Sequence, residues 1–148
     1  MIALLQRVTE AAVHVNGDEV AAINKGIMAL VAVQRGDTFK QADRLLERML
    51  AYRIFPDDEG RMNLDLRQAG GELLLVPQFT LAANTNKGNR PSFASAATPE
   101  EGKRLFAYVV DRSNQEFGST GAGIFGADMK VSLVNDGPVT FWLEVSAD

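Results

Sequence analysis

The chain has 148 residues, 46% hydrophobic and 23% charged, with a net charge of −4, the make-up of a single globular domain able to bury its own core. It holds no cysteine, which excludes disulfides, thiolate zinc sites and a cysteine nucleophile. The lone His14, the acidic balance and the early Gln6 and Arg7 of MIALLQRVTE argue against a transition-metal site, a generic nucleic-acid coat and a signal peptide.

No apolar run reaches the ~18 residues of a membrane span, so the expectation is a cytoplasmic protein with no membrane partner, no metal and no cofactor. Residues 2–34 read as a β-meander, with strands over 2–8, 11–15, 19–23 and 27–33. NGD at 16–18 and NKG at 24–26 are its hairpin signals. His14 falls on an alternating strand, which favours a surface or half-buried histidine over a catalytic one; no GxSxG elbow accompanies it. Asp37-Thr38 offers a helix cap, and Ala42, Leu45, Leu46, Met49 and Leu50 give helical spacing through Tyr52. The stretch 55–71 is a loop with two turns; DDEG within it lacks the remaining ligands of a calcium loop.

Glu72 to Val76 is a continuously apolar strand, suggesting burial on both faces. Pro77 then ends the ladder and leaves the N–H groups that follow free to point at a ligand. The next loop carries Lys87, Gly88 and Arg90, and no acidic residue occurs from Leu73 through Pro99. That window suits a surface facing phosphate, and equally a buried strand followed by a polar loop. Thr98 as cap, Pro99 and Glu101 open a second helix, with a stripe of Leu105, Phe106, Val109 and Val110. In GAGIFGADMKV, 121–131, glycines allow close approach to a ligand and Phe125 offers a stacking face for a purine. A glycine-rich turn around a core phenylalanine reads as well. Strands over 131–134 and 139–145 close the chain, separated by Gly137-Pro138, whose residues alone read as an ordinary turn. The architecture expected is α+β, a mainly antiparallel, curled or barrel-like sheet with two packed helices in one domain, 1–148.

Taken in order, QRV with Arg7, YRIF at 52–55, MNL at 62–64, GGELLLV at 70–76, QFTL at 78–81, RPSF at 90–93, FGADM at 125–129 and VSLVNDGPVT at 131–140 resemble the D-aminoacyl-tRNA deacylase family. The resemblance runs from residue 1 to about 146. It implies an enzyme that hydrolyses the ester of D-aminoacyl-tRNA at the 3′-terminal adenosine, and also Gly-tRNA mischarged on tRNA-Ala. Of the family's two motifs, Asn-x-Gly-Pro-x-Thr is intact as Asn135, Gly137, Pro138 and Thr140. The resemblance implies a cis Gly137-Pro138 peptide and a homodimer in which this tip enters the partner's active site. There its carbonyls exclude L-side chains, and Arg7 holds the tip in place. It further implies catalysis by positioning and backbone N–H groups at Gln78, Phe79 and Thr80, with the RNA's terminal 2′-OH helping to activate water. Phe125, Gly126 and Ala127 hold the adenine in this comparison. Lys87 and Arg90, from their charge, meet tRNA phosphates.

The other motif, Ser-Gln-x-x-Leu, departs: Pro77 stands where serine is usual. Ile124 replaces a common arginine, and Asn86 and Asn89 replace residues that are often basic. Proline at 77 is similar to related animal deacylases with a trans Gly-Pro tip and some tolerance of L-substrates, whereas Arg7 and NDGPVT favour the cis class. A deacylase with relaxed chirality and a tRNA-binding protein without catalysis therefore stand as alternatives. A small-molecule esterase is disfavoured by the missing nucleophile and base.

Overall fold

The computed structural model describes residues 1–147; Asp148, the last residue of the 1–148 domain, lies outside the described residues. Strand β1 (Ile2–Val15) is the spine of a six-stranded sheet. One of its edges pairs antiparallel with β3 (Gly26–Ala32) and then with β2 (Asp18–Ile23). Its other edge pairs antiparallel with β8 (Lys130–Glu144) over almost its full length. β3 continues in parallel to β6 (Glu72–Pro77), and β6 in parallel to β7 (Thr120–Ala122). The mainly antiparallel sheet is thus mixed, and it curls almost shut: a Cβ on Gly121 of β7 would lie 3.3 Å from the Ala21 methyl of β2. A two-stranded ribbon, β4 (Phe55–Pro56) with β5 (Met62–Leu64), lies within the 55–71 loop.

The central strands are apolar on both faces because both faces are covered. Ile27, Ala29 and Val31 of β3 and Leu73 and Leu75 of β6 pack towards helices α1 (Phe39–Ala51) and α2 (Pro99–Glu116). Met28, Leu74 and Val76 fill a second core with Val8, Ala11, Val13 and Ile23. This is the two-sided burial that the run LLLV predicts, and each fully buried leucine contributes about 1.5–3 kcal/mol.

Where the sequence suggests two strands at 2–8 and 11–15, one continuous strand is found. Thr9 and Glu10 are exposed, and a register shift between Val8 and Glu10 keeps the ladder running. The shift also changes the alternation, so that Val8, Ala11 and Val13 enter the same core.

Helix α1 begins with a complete capping box: the Thr38 side chain accepts from the helix backbone and Gln41 reaches back to the Thr38 N–H. Thr98 caps α2 by accepting from the Glu101 N–H at 3.3 Å, but the Glu101 carboxylate turns to Arg104 instead of closing a box. That hydrogen bond holds the Glu101 carboxyl below the usual carboxylate range. Beneath the β3–α1 turn, the Met1 amino group meets Asp37 Oδ2 at 2.9 Å and donates to Gln34 Oε1 and the Val145 carbonyl. Both side chains of this ion pair are fully buried. Among the described residues, no helix is long and apolar enough to cross a membrane.

Candidate functional site

A cavity of about 670 Å³ opens where β3 and β6 end. Val76, Pro77, Gln78 and Phe79 line it as a floor, and Phe125, Gly126, Ala127 and Met129 line it as a wall. Two segments far apart in sequence therefore line a single space.

The floor is set by the strand end. Pro77 remains in register with Val31, and the Gln78 N–H still donates to the Val31 carbonyl at 2.8 Å. The ladder thus runs one residue past the proline, and the Gln78 N–H is engaged, unlike the expectation that proline frees it. A short 3₁₀ helix, Phe79–Ala82, follows, so the N–H groups of Phe79 and Thr80 have no acceptor within the helix. The Gln78 amide donates to Thr80 Oγ1, tying the entrance of this turn together.

The wall is set by a turn that closes with Ala127 N–H donating to the Ile124 carbonyl at 3.2 Å. Phe125 lies against the first turn of α2, where a Cβ on Gly102 would sit 3.2 and 3.3 Å from its ring atoms. Glycine inside a helix costs about 1 kcal/mol relative to alanine; here it makes the seat for the ring. Gly123 is similarly close to the floor, its would-be Cβ 3.2 Å from Pro77 Cδ.

Lys87 and Arg90 do not line the cavity. They sit on an exposed loop beyond the reciprocal bonds between Asn84 and Ser92, at 2.7 and 3.0 Å. Arg35 does line it, and among the described residues it is the one charged side chain that does. No local signal marks Arg35; it reaches the cavity because Arg35 N–H donates to the Ser95 carbonyl at 3.0 Å. His14 is half-buried on β1 and outside the cavity.

Gly137 and Pro138 form a separate feature. They do not reverse the chain, as a hairpin turn would. Both halves of β8 pair with β1 in the same sense, and residues 136–139 bulge out opposite Arg7 between the Gln6–Thr140 and Val8–Asn135 pairs. The Gly137-Pro138 peptide is cis. Gly137 has φ 149° and a Cβ there would meet Val139 N at 2.6 Å, so only glycine fits.

Two side chains brace the bulge. Arg7 donates to the Asp136 carbonyl at 3.1 Å and to the Ile54 carbonyl at 2.7 Å, and pairs with the Asp136 carboxylate at 3.3 Å. Asn135 donates to the Arg7 and Val139 carbonyls and accepts from the Val139 N–H. Its amide takes the place of the ladder bonds that the bulge interrupts. Neither Arg7 nor Gly137 nor Pro138 lines the cavity of their own chain.

A curled mixed sheet with two helices on one face and a cavity at the parallel strand ends defines the fold class, and solved structures share it. A probable eukaryotic D-amino acid tRNA deacylase superposes with TM-score 0.78 over 97% of this chain and 98% of its own, at 18% identity; that likeness is one of fold alone. A c-Myc DNA unwinding element binding protein superposes with TM-score 0.94 at 35% identity, covering 99% and 100% of the two chains. The model of the D-Tyr-tRNA(Tyr) deacylase family matches residues 4–144. A D-aminoacyl-tRNA deacylase of Thioalkalivibrio sulfidiphilus is 63% identical over 98% of this chain and 97% of its own. One from Methylococcus capsulatus is 58% identical over 100% and 97%. The chain belongs to the D-Tyr-tRNA(Tyr) deacylase family.

Proposed function

We propose that the chain acts as a chiral proofreading hydrolase in the cytoplasm, cleaving the ester of D-aminoacyl-tRNA to free D-amino acid and tRNA. D-aminoacyl-tRNA deacylase activity follows from family membership. The observation that carries the assignment of residues is the cavity lined by Gln78 and Phe79 together with Phe125, Gly126 and Ala127.

In this reading the 3′-terminal adenine enters against Phe125, with Gly126 and Ala127 at its edge. That places the aminoacyl carbonyl at the strand end, where the Phe79 and Thr80 N–H groups hold the oxyanion; such a donor is worth roughly 100- to 1,000-fold in rate. Gln78, anchored to Val31 and bonded to Thr80, positions the turn. Water, assisted by the terminal 2′-OH, adds to the carbonyl carbon. The bond to the ribose oxygen then breaks, and that oxygen leaves with a proton. No side-chain nucleophile is called upon, so Pro77 in place of serine leaves the chemistry intact. Lys87 and Arg90 meet phosphates farther along the tRNA.

Handedness is supplied by Gly137-Pro138 of a second copy in a homodimer. Support comes from the position of the tip, braced yet outside its own chain's cavity, and from the unpaired edge of β8 with exposed Val134 and Trp142. Main-chain carbonyls beside the aminoacyl Cα would clash with an L-side chain and admit a D-side chain. Glycine passes, which extends the activity to Gly-tRNA mischarged on tRNA-Ala. Pro77 favours a second reading, a deacylase of relaxed chirality.

The test is to follow ester loss from D-Tyr-tRNA, L-Tyr-tRNA and Gly-tRNA. Loss from the D- and glycyl esters with the L-ester spared supports the proposal. Loss from both enantiomers selects the relaxed deacylase. Binding of all three without hydrolysis leaves a tRNA-binding protein.

A further inference from the structure

We propose that the rim formed by Arg35, Phe93 and Phe79 is a subsite for the nucleotide that precedes the reacting adenosine. Arg35 takes its phosphate, and the aromatic pair faces its base. The inference rests on the aminoacyl-tRNA reading above and adds to it a second point of contact on the single strand.

Independent observations converge on this rim. Arg35 is exposed and, among the described residues, makes no ion pair and is the one charged side chain lining the cavity. The nearby Asp37 does not neutralise it, because Asp37 is buried and paired with the Met1 amino group. Phe79 and Phe93 also line the cavity, yet they are 55% and 41% exposed, with ring centroids 5.2 Å apart. Two adjacent phenylalanines left in solvent at a cavity mouth mark a surface awaiting a partner.

The backbone puts the cation and the rings side by side. Gln34 bridges to Ala96, Arg35 N–H donates to the Ser95 carbonyl, and Ala96 N–H donates to the Phe93 carbonyl. The segment that carries both rings contains no acidic residue from Leu73 through Pro99, so nothing on it repels a phosphodiester. A cation beside exposed aromatic rings is how proteins hold single-stranded RNA, by phosphate pairing and base stacking. A free 3′ end offers that pair of groups one nucleotide from the reacting ester. Lys87 and Arg90, off the cavity, are left to more distant phosphates.

The test compares two substrates of the wild type, Arg35→Gln, Arg35→Lys and Phe93→Ala: D-Tyr-tRNA, and the D-tyrosyl ester of adenosine, which lacks the preceding nucleotide. On tRNA, Phe93→Ala is expected to raise KM roughly 5- to 150-fold, the range of one base-stacking contact, with kcat little changed. Arg35→Gln is expected to raise KM and to lower the slope of log affinity against log salt by about 0.7, one single-strand phosphate contact, while Arg35→Lys restores most of the affinity. On the adenosine ester the same variants should lose little, so that the loss from Phe93→Ala on tRNA exceeds it by roughly 5-fold or more, the difference that one contact of this size makes. Equal losses on both substrates, or no loss on tRNA, overturn the subsite while leaving the deacylase intact. A wild type that hydrolyses neither ester overturns the deacylase reading, and the subsite with it.

Discussion

The cavity collects its lining from stretches 31–35, 76–79, 93–106 and 125–131, whereas the Gly137-Pro138 tip is made from residues 135–140 and the side chain of Arg7. The first depends on tertiary packing: Phe125 has its place only because Gly102 on another element makes room. The second is held by bonds that a short motif supplies to itself, Asn135 to Val139, plus one long arginine. In the proposed function, chemistry and handedness fall to parts that can be perturbed separately.

The largest effect is expected where the cavity frame meets the core. Asp37→Asn breaks the buried pair with the Met1 amino group and should cost about 3–5 kcal/mol of stability, read as a lower urea midpoint. The ratio of D- to L-hydrolysis should not move, since the tip is untouched. Gly102→Leu pushes on the Phe125 ring, 3.2 Å from the would-be Cβ. It should lower kcat/KM for D-Tyr-tRNA about 100-fold, the penalty of an ångström-scale misplacement, while fluorescence-monitored unfolding shows an intact fold.

Arg7→Ala frees the Asp136 and Ile54 carbonyls. Stability should fall by about 1.5–3 kcal/mol, and steady-state assays should show L-Tyr-tRNA hydrolysis rising far more than D-hydrolysis falls. A variant that loses D-activity in step with any change in L-activity would merge the two regions into one.

The smallest effect is at exposed Glu101, whose pKa is lowered by its hydrogen bond from Arg104. A lowered folded pKa means the stabilisation is present above the unfolded carboxylate value and is lost as pH falls through the folded one. Wild type should therefore shed slightly more stability on acidification than Glu101→Gln, measured by urea unfolding across the acid range.

Much of the fold could be read from local pattern. The run LLLV at 73–76 announced two-sided burial, and Thr38 and Thr98 announced helix starts. What resisted reading was long-range. Thr9-Glu10 looks like a break in β1, yet β8 bridges it through a bulge. Gly137-Pro138 looks like a reversal between two strands, because only the pairing of both halves with β1 reveals one strand. Pro77 cannot donate, but its neighbour Gln78 can, so the ladder passes it. Arg35 in QRGD is an unremarkable turn cation until the Ser95 carbonyl brings it to the cavity. Gly102 did carry a signal: a glycine inside an otherwise good helix asks what lies against it.

In the proposed function the cavity performs hydrolysis and the braced tip decides handedness. The most direct measurement is the rate of ester loss from D-Tyr-tRNA and L-Tyr-tRNA, side by side, for wild type and Asn135→Ala. Wild type should act on the D-ester alone, and the variant should keep D-activity while gaining L-activity. A variant that loses D-activity and still spares the L-ester would contradict this.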